Sequence, residues 1–259
     1  MKRIFITYGF LLLLGIVACT PPPTREIEQP KPPTPEITFR IATLDMAQQK
    51  KRLEKSDVEQ FANILMNEHI DVLTVQNVVR YPGLQSRIDF VSELARTSDF
   101  RSAFGEMSNV GGKQTGNAIF SIYPIISHRT MSFETVVPSS FEGGLTTTID
   151  VGATSLNVIS ARLPAKLNQQ KKFQCLSMLL PQSKDTSIVP HIITGNLLSV
   201  EQLAQQFASI PVGENRDNSL PQIWKVLQDD FKQGEVKTLS TSIGTLVIVD
   251  FHYYRNISK

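Results

Sequence analysis

The chain has 259 residues, 26 of them Lys or Arg and 24 Asp or Glu, for a formal net charge of +2. Hydrophobic residues make up 41%, which excludes a disordered chain and leaves material for a real core. Lys2 and Arg3 sit in a segment expected to be removed, so the working chain is neutral, which argues against a sequence-independent grip on nucleic acid.

Lys2 and Arg3 precede an apolar run from Ile4 to Val17, and Ala18-Cys19 follows. A positive start, an apolar centre and a small residue at the cut describe a secretory signal over residues 1–18. The run is shorter than the roughly 20 apolar residues of a membrane span. Ile16-Val17-Ala18-Cys19 resembles the lipobox of bacterial lipoproteins, which implies that Cys19 is lipidated and begins the mature chain. With Thr20 rather than Asp behind it, that resemblance implies anchoring in the cell envelope at the outer membrane. Residues 19–36 then hold seven of the fifteen prolines, Pro21 to Pro35. Their fixed φ and missing donors predict a stiff extended tether with a reach on the order of 50 Å. Roughly 240 residues remain behind the signal, enough for one large domain or two small ones, with no internal repeat.

The folded domain is expected over residues 37–259. Ile37, Phe39 and Ile41 alternate with polar neighbours, the period of a strand. Ser56-Asp57-Val58-Glu59 has the pattern of a capping box, and Val58, Phe61, Ala62 and Leu65 share the face of the helix behind it. Residues 71–75 read as a buried strand and residues 87–95 as an amphipathic helix. Strands are expected at 117–121, 146–150 and 156–161, with a hairpin loop over 151–155 between the last two. Residues 169–180 and 222–231 read as helices, 191–194 as a short strand ending in Gly195-Asn196, and 245–253 as a strand. This mixture predicts an α/β protein of packed sheets with helices outside them.

Cys19 as the lipid-bearing residue leaves Cys175 without a partner in the chain, and its apolar surroundings predict a buried, inert thiol. The four histidines are scattered, and no Cys/His spacing suggests zinc. Gly111-Gly112-Lys113-Gln114-Thr115-Gly116 lacks the Gly-Lys-Ser/Thr ending of a phosphate loop and reads as a flexible surface loop. Lys50-Lys51-Arg52 reads as a solvated loop.

Four segments, taken together, resemble the endonuclease/exonuclease/phosphatase family. They are Arg40-Ile41-Ala42-Thr43-Leu44-Asp45, Asp71 to Val78, Gly116-Asn117-Ala118-Ile119-Phe120-Ser121-Ile122-Tyr123-Pro124-Ile125, and Ile192-Ile193-Thr194-Gly195-Asn196-Leu197-Leu198. They occur in family order over most of residues 37–254, and residues 116–125 match most specifically. The resemblance implies a four-layer α/β sandwich of two facing mixed sheets flanked by helices. It also implies a Mg²⁺- or Mn²⁺-dependent phosphoric ester site at the strand ends. Such chemistry needs carboxylates for a hard divalent cation and a histidine to assist proton transfer.

The chain departs from that pattern at the chemical positions. The family's metal-binding Glu falls at Asn77, its first-strand Asn at Asp45, and its His at Arg162. The Asp and Asn of its Gly-Asp-x-Asn segment fall at Asn196 and Leu198. An amide loses the charge that holds magnesium, and an arginine stays protonated. The family's further loop and strand carrying Ser-Asp-His has no counterpart before Lys259. Two readings follow. In the first the domain is a non-catalytic scaffold, anchored by lipid, that binds a protein or a phosphate-bearing ligand and needs no cofactor. In the second it is a metal-dependent phosphodiesterase or nuclease with rearranged residues, carried by Asp45, Asp250 and His252 with Mg²⁺ or Mn²⁺.

Overall fold

A computed structural model describes residues 37–49, 52–84, 87–152, 154–164, 166–180, 189–197, 209–212, 222–226 and 231–254. Residues 1–36, with the expected signal, Cys19 and the expected proline tether, and Leu198 lie outside the described residues. The elements run in chain order β1 (Ile37–Asp45), α1 (Lys55–Asn67), β2 (Val72–Arg80), α2 (Phe90–Ser98), β3 (Arg101–Val110) and β4 (Lys113–Ser121). Then follow β5 (Ile125–Ser132), β6 (Gly143–Asp150), β7 (Ser155–Arg162), α3 (Gln169–Leu179) and β8 (His191–Asn196). The series ends with β9 (Ser209–Val212), β10 (Gln222–Val226), β11 (Phe231–Ser240) and β12 (Thr245–Tyr253).

Two six-stranded sheets form, in the orders β11-β12-β1-β2-β4-β3 and β5-β6-β7-β8-β10-β9. Each is mixed. The parallel pair β1–β2 is joined through α1, and the parallel pair β7–β8 through α3, as parallel neighbours require a crossover. Strand alternation sorts the apolar residues into three layers of core. Ala42, Leu44, Leu73 and Ile248 point outward onto Val58, Phe61 and Leu65 of α1 and Phe90 and Leu94 of α2. Phe39, Ile41, Val72, Val158, Ile192 and Phe251 fill the space between the sheets. Ile159, Ala161 and Ile193 face Cys175, Leu176 and Leu179 of α3. Helices, sheet, sheet and helix therefore stack as the expected four-layer α/β sandwich.

The helix starts differ from the sequence reading. Helix α1 begins at Lys55 with Glu54 as its cap, and the Glu54 N–H donates to the Asp57 carboxylate at 2.9 Å, so the capping pair sits two residues before Ser56 and Glu59. Helix α2 begins at Phe90 because Asp89 accepts from the Val91 and Ser92 N–H groups. The helix expected over residues 222–231 is instead strand β10, followed by the start of β11 at Phe231. Pairing of β10 with β8, which buries Ile223, overrides a local pattern that is too short to fix a helix. Strands β3, β5, β9 and β11 are additional to the sequence reading. Residues 111–116, read as a flexible surface loop, divide instead into the tight β3–β4 turn at Gly111-Gly112, both at positive φ, and the start of strand β4 from Lys113.

Cys175 is buried, and burial is the main reason its thiol is pushed up to about 11, so it is inert as expected. His191 is buried as well. Its Nε2 accepts from the Asn157 amide at 3.1 Å, and burial holds its pKa below the ordinary histidine value. A depressed folded-state pKa means that the unfolded chain binds the proton first. Stability is therefore complete above about pH 6.5 and falls as the pH drops below it towards the folded-state value. Urea midpoints measured from pH 7.5 down to 5 should decline for the wild type, and more shallowly for His191→Gln.

Candidate functional site

The inward-facing positions change character along the strands. On β1 they run Phe39, Ile41, Thr43, Asp45; on β2 they run Val72, Thr74, Gln76. On β7 they run Leu156, Val158, Ser160, Arg162, and on β8 Ile192, Thr194, Asn196. Period-two alternation thus carries each strand from apolar core to polar group towards one end of the sandwich. Asp45 is register partner of Gln76, and Arg162 of Asn196, so these ends coincide.

A buried polar seam lies under that end and joins the two sheets. The Gln76 amide donates to Ser160 Oγ at 2.8 Å and to Thr43 Oγ1 at 3.2 Å. Asn117 donates to the carbonyls of Gly143 at 3.0 Å and Ser160 at 3.2 Å. Thr194 donates to Thr74 Oγ1 at 2.7 Å. Such groups are costly to bury unless paired; Gln76, Asn117 and Thr194 find partners on the opposite sheet, and Thr43 is held by Gln76 beside it. Gly195 closes the seam on β8. Its φ is +125°, and a Cβ there would lie 1.9 Å from the Ala161 carbonyl oxygen and 3.2 Å from Gln76 Cδ.

Above the seam lies the cluster of sequence-singled residues. Asn77 sits in a β-bulge of β2, where the pairing with β4 shifts between Val75 and Val78, and it has φ +56°. Asn tolerates this left-handed conformation better than Glu, so the amide suits the bulge. Asn77 Nδ2 donates to Asp45 Oδ1 at 2.6 Å, and the Ala47 N–H donates to the same oxygen at 2.9 Å. Asp45 Oδ2 faces Arg162 Nε at 3.7 Å. Arg162 Nη1 donates to Glu142 Oε1 at 2.8 Å, and Ser140 Oγ donates to the other Glu142 oxygen at 2.9 Å. Arg162 Nε is buried and has no hydrogen-bond partner.

A cleft of about 430 Å³ opens over this cluster, lined by Asn77, Ser139, Phe141, Glu142 and Arg162 among others. It shares Met46, Gln49, Asn77 and Val79 with a neighbouring recess of about 310 Å³ that carries Arg52, Tyr81 and Arg87. The Arg87 guanidinium lies 4.9 Å over the Tyr81 ring, and Phe141 is 64% exposed at the rim.

Asp45, Asn77, Arg162 and Asn196 are therefore brought to one end of the sandwich, as the sequence reading places them. Asp250 and His252 are not. They lie on the outer face of β12, since Leu246 and Ile248 of the same alternation pack under the helices. Asp250 is register partner of Arg40, whose guanidinium it accepts at 2.5 and 3.0 Å, and His252 Nδ1 meets Thr38 Oγ1 at 3.0 Å. Arg40 lies five residues before Asp45, about 16 Å along β1 at the usual strand rise. A site combining Asp45, Asp250 and His252 does not form. Glu142 and the Gln76 seam were missed in the sequence. The seam's signal was a run of polar residues at every second inward position, whereas Glu142 carries no local signal because its loop is placed by tertiary packing.

The arrangement does not suit a divalent ion. Among the described residues no group of three or more His, Cys, Asp or Glu could hold one. At the cleft, Asp45 already has Asn77, the Ala47 N–H and Arg162 around it, and the guanidinium brings a permanent positive charge beside that carboxylate.

No protein-family model and no curated protein matches this chain. Solved structures do. An endonuclease/exonuclease/phosphatase from Beutenbergia cavernae aligns at TM-score 0.66 and 17% identity, covering 83% of this chain and 72% of that one. TDP2 of D. rerio, complexed with a single-strand DNA product, aligns at 0.64 and 12%, covering 83% and 99%. The human Nocturnin catalytic domain with a bound sulfate aligns at 0.61 and 12%, covering 84% and 95%. At these identities the likeness is one of fold, and this chain has the endonuclease/exonuclease/phosphatase fold.

Proposed function

We propose that this chain is a lipid-anchored lipoprotein of the cell envelope whose domain keeps a phosphoesterase-type fold as a non-catalytic binding module. The observation that carries the reading is Arg162. It stands on the strand end where the family resemblance calls for a histidine, and it is locked to Glu142 at 2.8 Å with Asp45 at 3.7 Å. A guanidinium neither takes nor returns a proton at neutral pH, so general acid–base work has no group at that position. The cleft remains open, with the exposed Phe141 on its wall and Arg52 and Arg87 in the recess beside it. That pairing of cations with an aromatic rim supports a ligand that presents a phosphate group, and the sulfate and DNA product held by the similar structures support the same class. The lipobox-like Cys19 and the proline tether support placement at a membrane, held clear of its surface.

The full chain in detergent, titrated with Mg²⁺ or Mn²⁺, should hydrolyse bis(p-nitrophenyl) phosphate no faster than a blank. Pyrophosphate should raise its melting temperature, and Arg87→Ala should abolish that rise. Cys19→Ala should move the chain from the membrane to the soluble fraction. Metal-dependent turnover that vanishes in Asp45→Ala overturns the non-catalytic reading.

A further inference from the structure

We infer that Arg162 is the cleft's built-in cation, a latch that holds the ends of the two sheets together where the family resemblance implies a divalent metal. This inference rests on the non-catalytic reading and adds a physical reason for it. The contacts form one chain across the mouth of the sandwich: Ser140 to Glu142, Glu142 to Arg162, Arg162 to Asp45, Asp45 to Asn77. Arg162 belongs to the sheet of β6 and β7, Glu142 to the loop that leads into β6, and Asp45 and Asn77 to the sheet of β1 and β2. Among the described residues the guanidinium thus links Asp45 on one sheet to Glu142, beside the other, at this end.

The geometry is that of charge neutralisation. At 3.7 Å the Arg162 Nε to Asp45 Oδ2 contact is too long for a hydrogen bond, and Nε has no other partner although it is buried. A hydrogen-bonded pair would have closed that gap. A cation held for its charge need not: the hydrogen bond to Glu142 fixes the guanidinium, and Asp45 meets it as a longer ion pair. The side chains are only partly exposed, 25% for Arg162 and 9% for Asp45, so water screens the pair weakly. With Arg162 in place a divalent ion would meet a fixed positive charge. With Arg162 removed, Asp45 and Glu142 would face one cavity with no counter-charge, and a divalent ion would be drawn to them.

Thermal melting of the full chain in detergent, in chelator and in millimolar Mn²⁺, tests this without any turnover. The wild type should melt at the same temperature in both. Arg162→Ala should melt lower in chelator and regain about 3–6 °C in Mn²⁺. Arg162→Gln should behave alike and guards against an alanine variant that fails to fold. Adding Asp45→Asn should remove the Mn²⁺ response. A wild type stabilised by Mn²⁺, or Arg162 variants indifferent to it, would overturn the latch. Turnover by the wild type counts against the proposed function, whereas an Mn²⁺ shift without turnover counts against the latch alone.

Discussion

Replacing Gly195 by alanine should cost more than about 3 kcal/mol, enough to leave much of the chain unfolded. The reason is double. The backbone there has φ +125°, which an L side chain rarely adopts, and the new Cβ would sit 1.9 Å from the Ala161 carbonyl oxygen. That oxygen belongs to β7, the parallel neighbour of β8, so relief requires the two central strands to part. Parting them moves Arg162 and Asn196, which are register partners one step further along. Gly152 supplies the control. Its φ is +94°, but nothing lies within 4 Å of a Cβ there, so Gly152→Ala should cost only about 1 kcal/mol of backbone strain. Urea unfolding of the two variants should separate steric clash from dihedral strain.

Gln76→Leu should lower stability by about 2–3 kcal/mol although leucine is apolar and close in volume. Gln76 is fully buried between the sheets, and its amide satisfies Ser160 Oγ and Thr43 Oγ1. Leucine leaves both hydroxyls in a dry interface without that partner. Ser160→Ala, added to Gln76→Leu, should recover part of the loss, because one stranded hydroxyl goes with it. A double-mutant cycle by urea unfolding measures the coupling. Purely additive costs would mean that the seam acts as separate contacts and not as one network.

Much of the architecture was legible because it is local. Val58, Phe61, Ala62 and Leu65 mark α1 by spacing alone, and they are all buried against the first sheet. Residues 116–125 gave the end of β4 and the turn behind it. Segments whose form is set by distant partners were not legible. Strand β10 exists through its pairing with β8, and β5 is an edge strand with mostly exposed side chains, so neither carries a strong period. The site divides in the same way. Asp45, Asn77, Arg162 and Asn196 could be placed from motif position, since each ends a strand or a bulge. Asp250 and His252 share a strand face as their spacing requires, but nothing in the spacing tells which end of the sheet that face occupies. Register does, and it pairs them with Arg40 and Thr38. Glu142, the anion that fixes Arg162, was invisible for the same reason.

As a latch, Arg162 takes the place of a bound cation in this cleft. Electron paramagnetic resonance of Mn²⁺ added to the full chain in detergent tests it directly, because bound Mn²⁺ loses the six-line signal of the free ion. For the wild type the signal should match that of the same Mn²⁺ in buffer and detergent alone. Loss of signal that saturates at one equivalent, and that Asp45→Asn abolishes, would mean that the cleft binds a divalent ion despite Arg162.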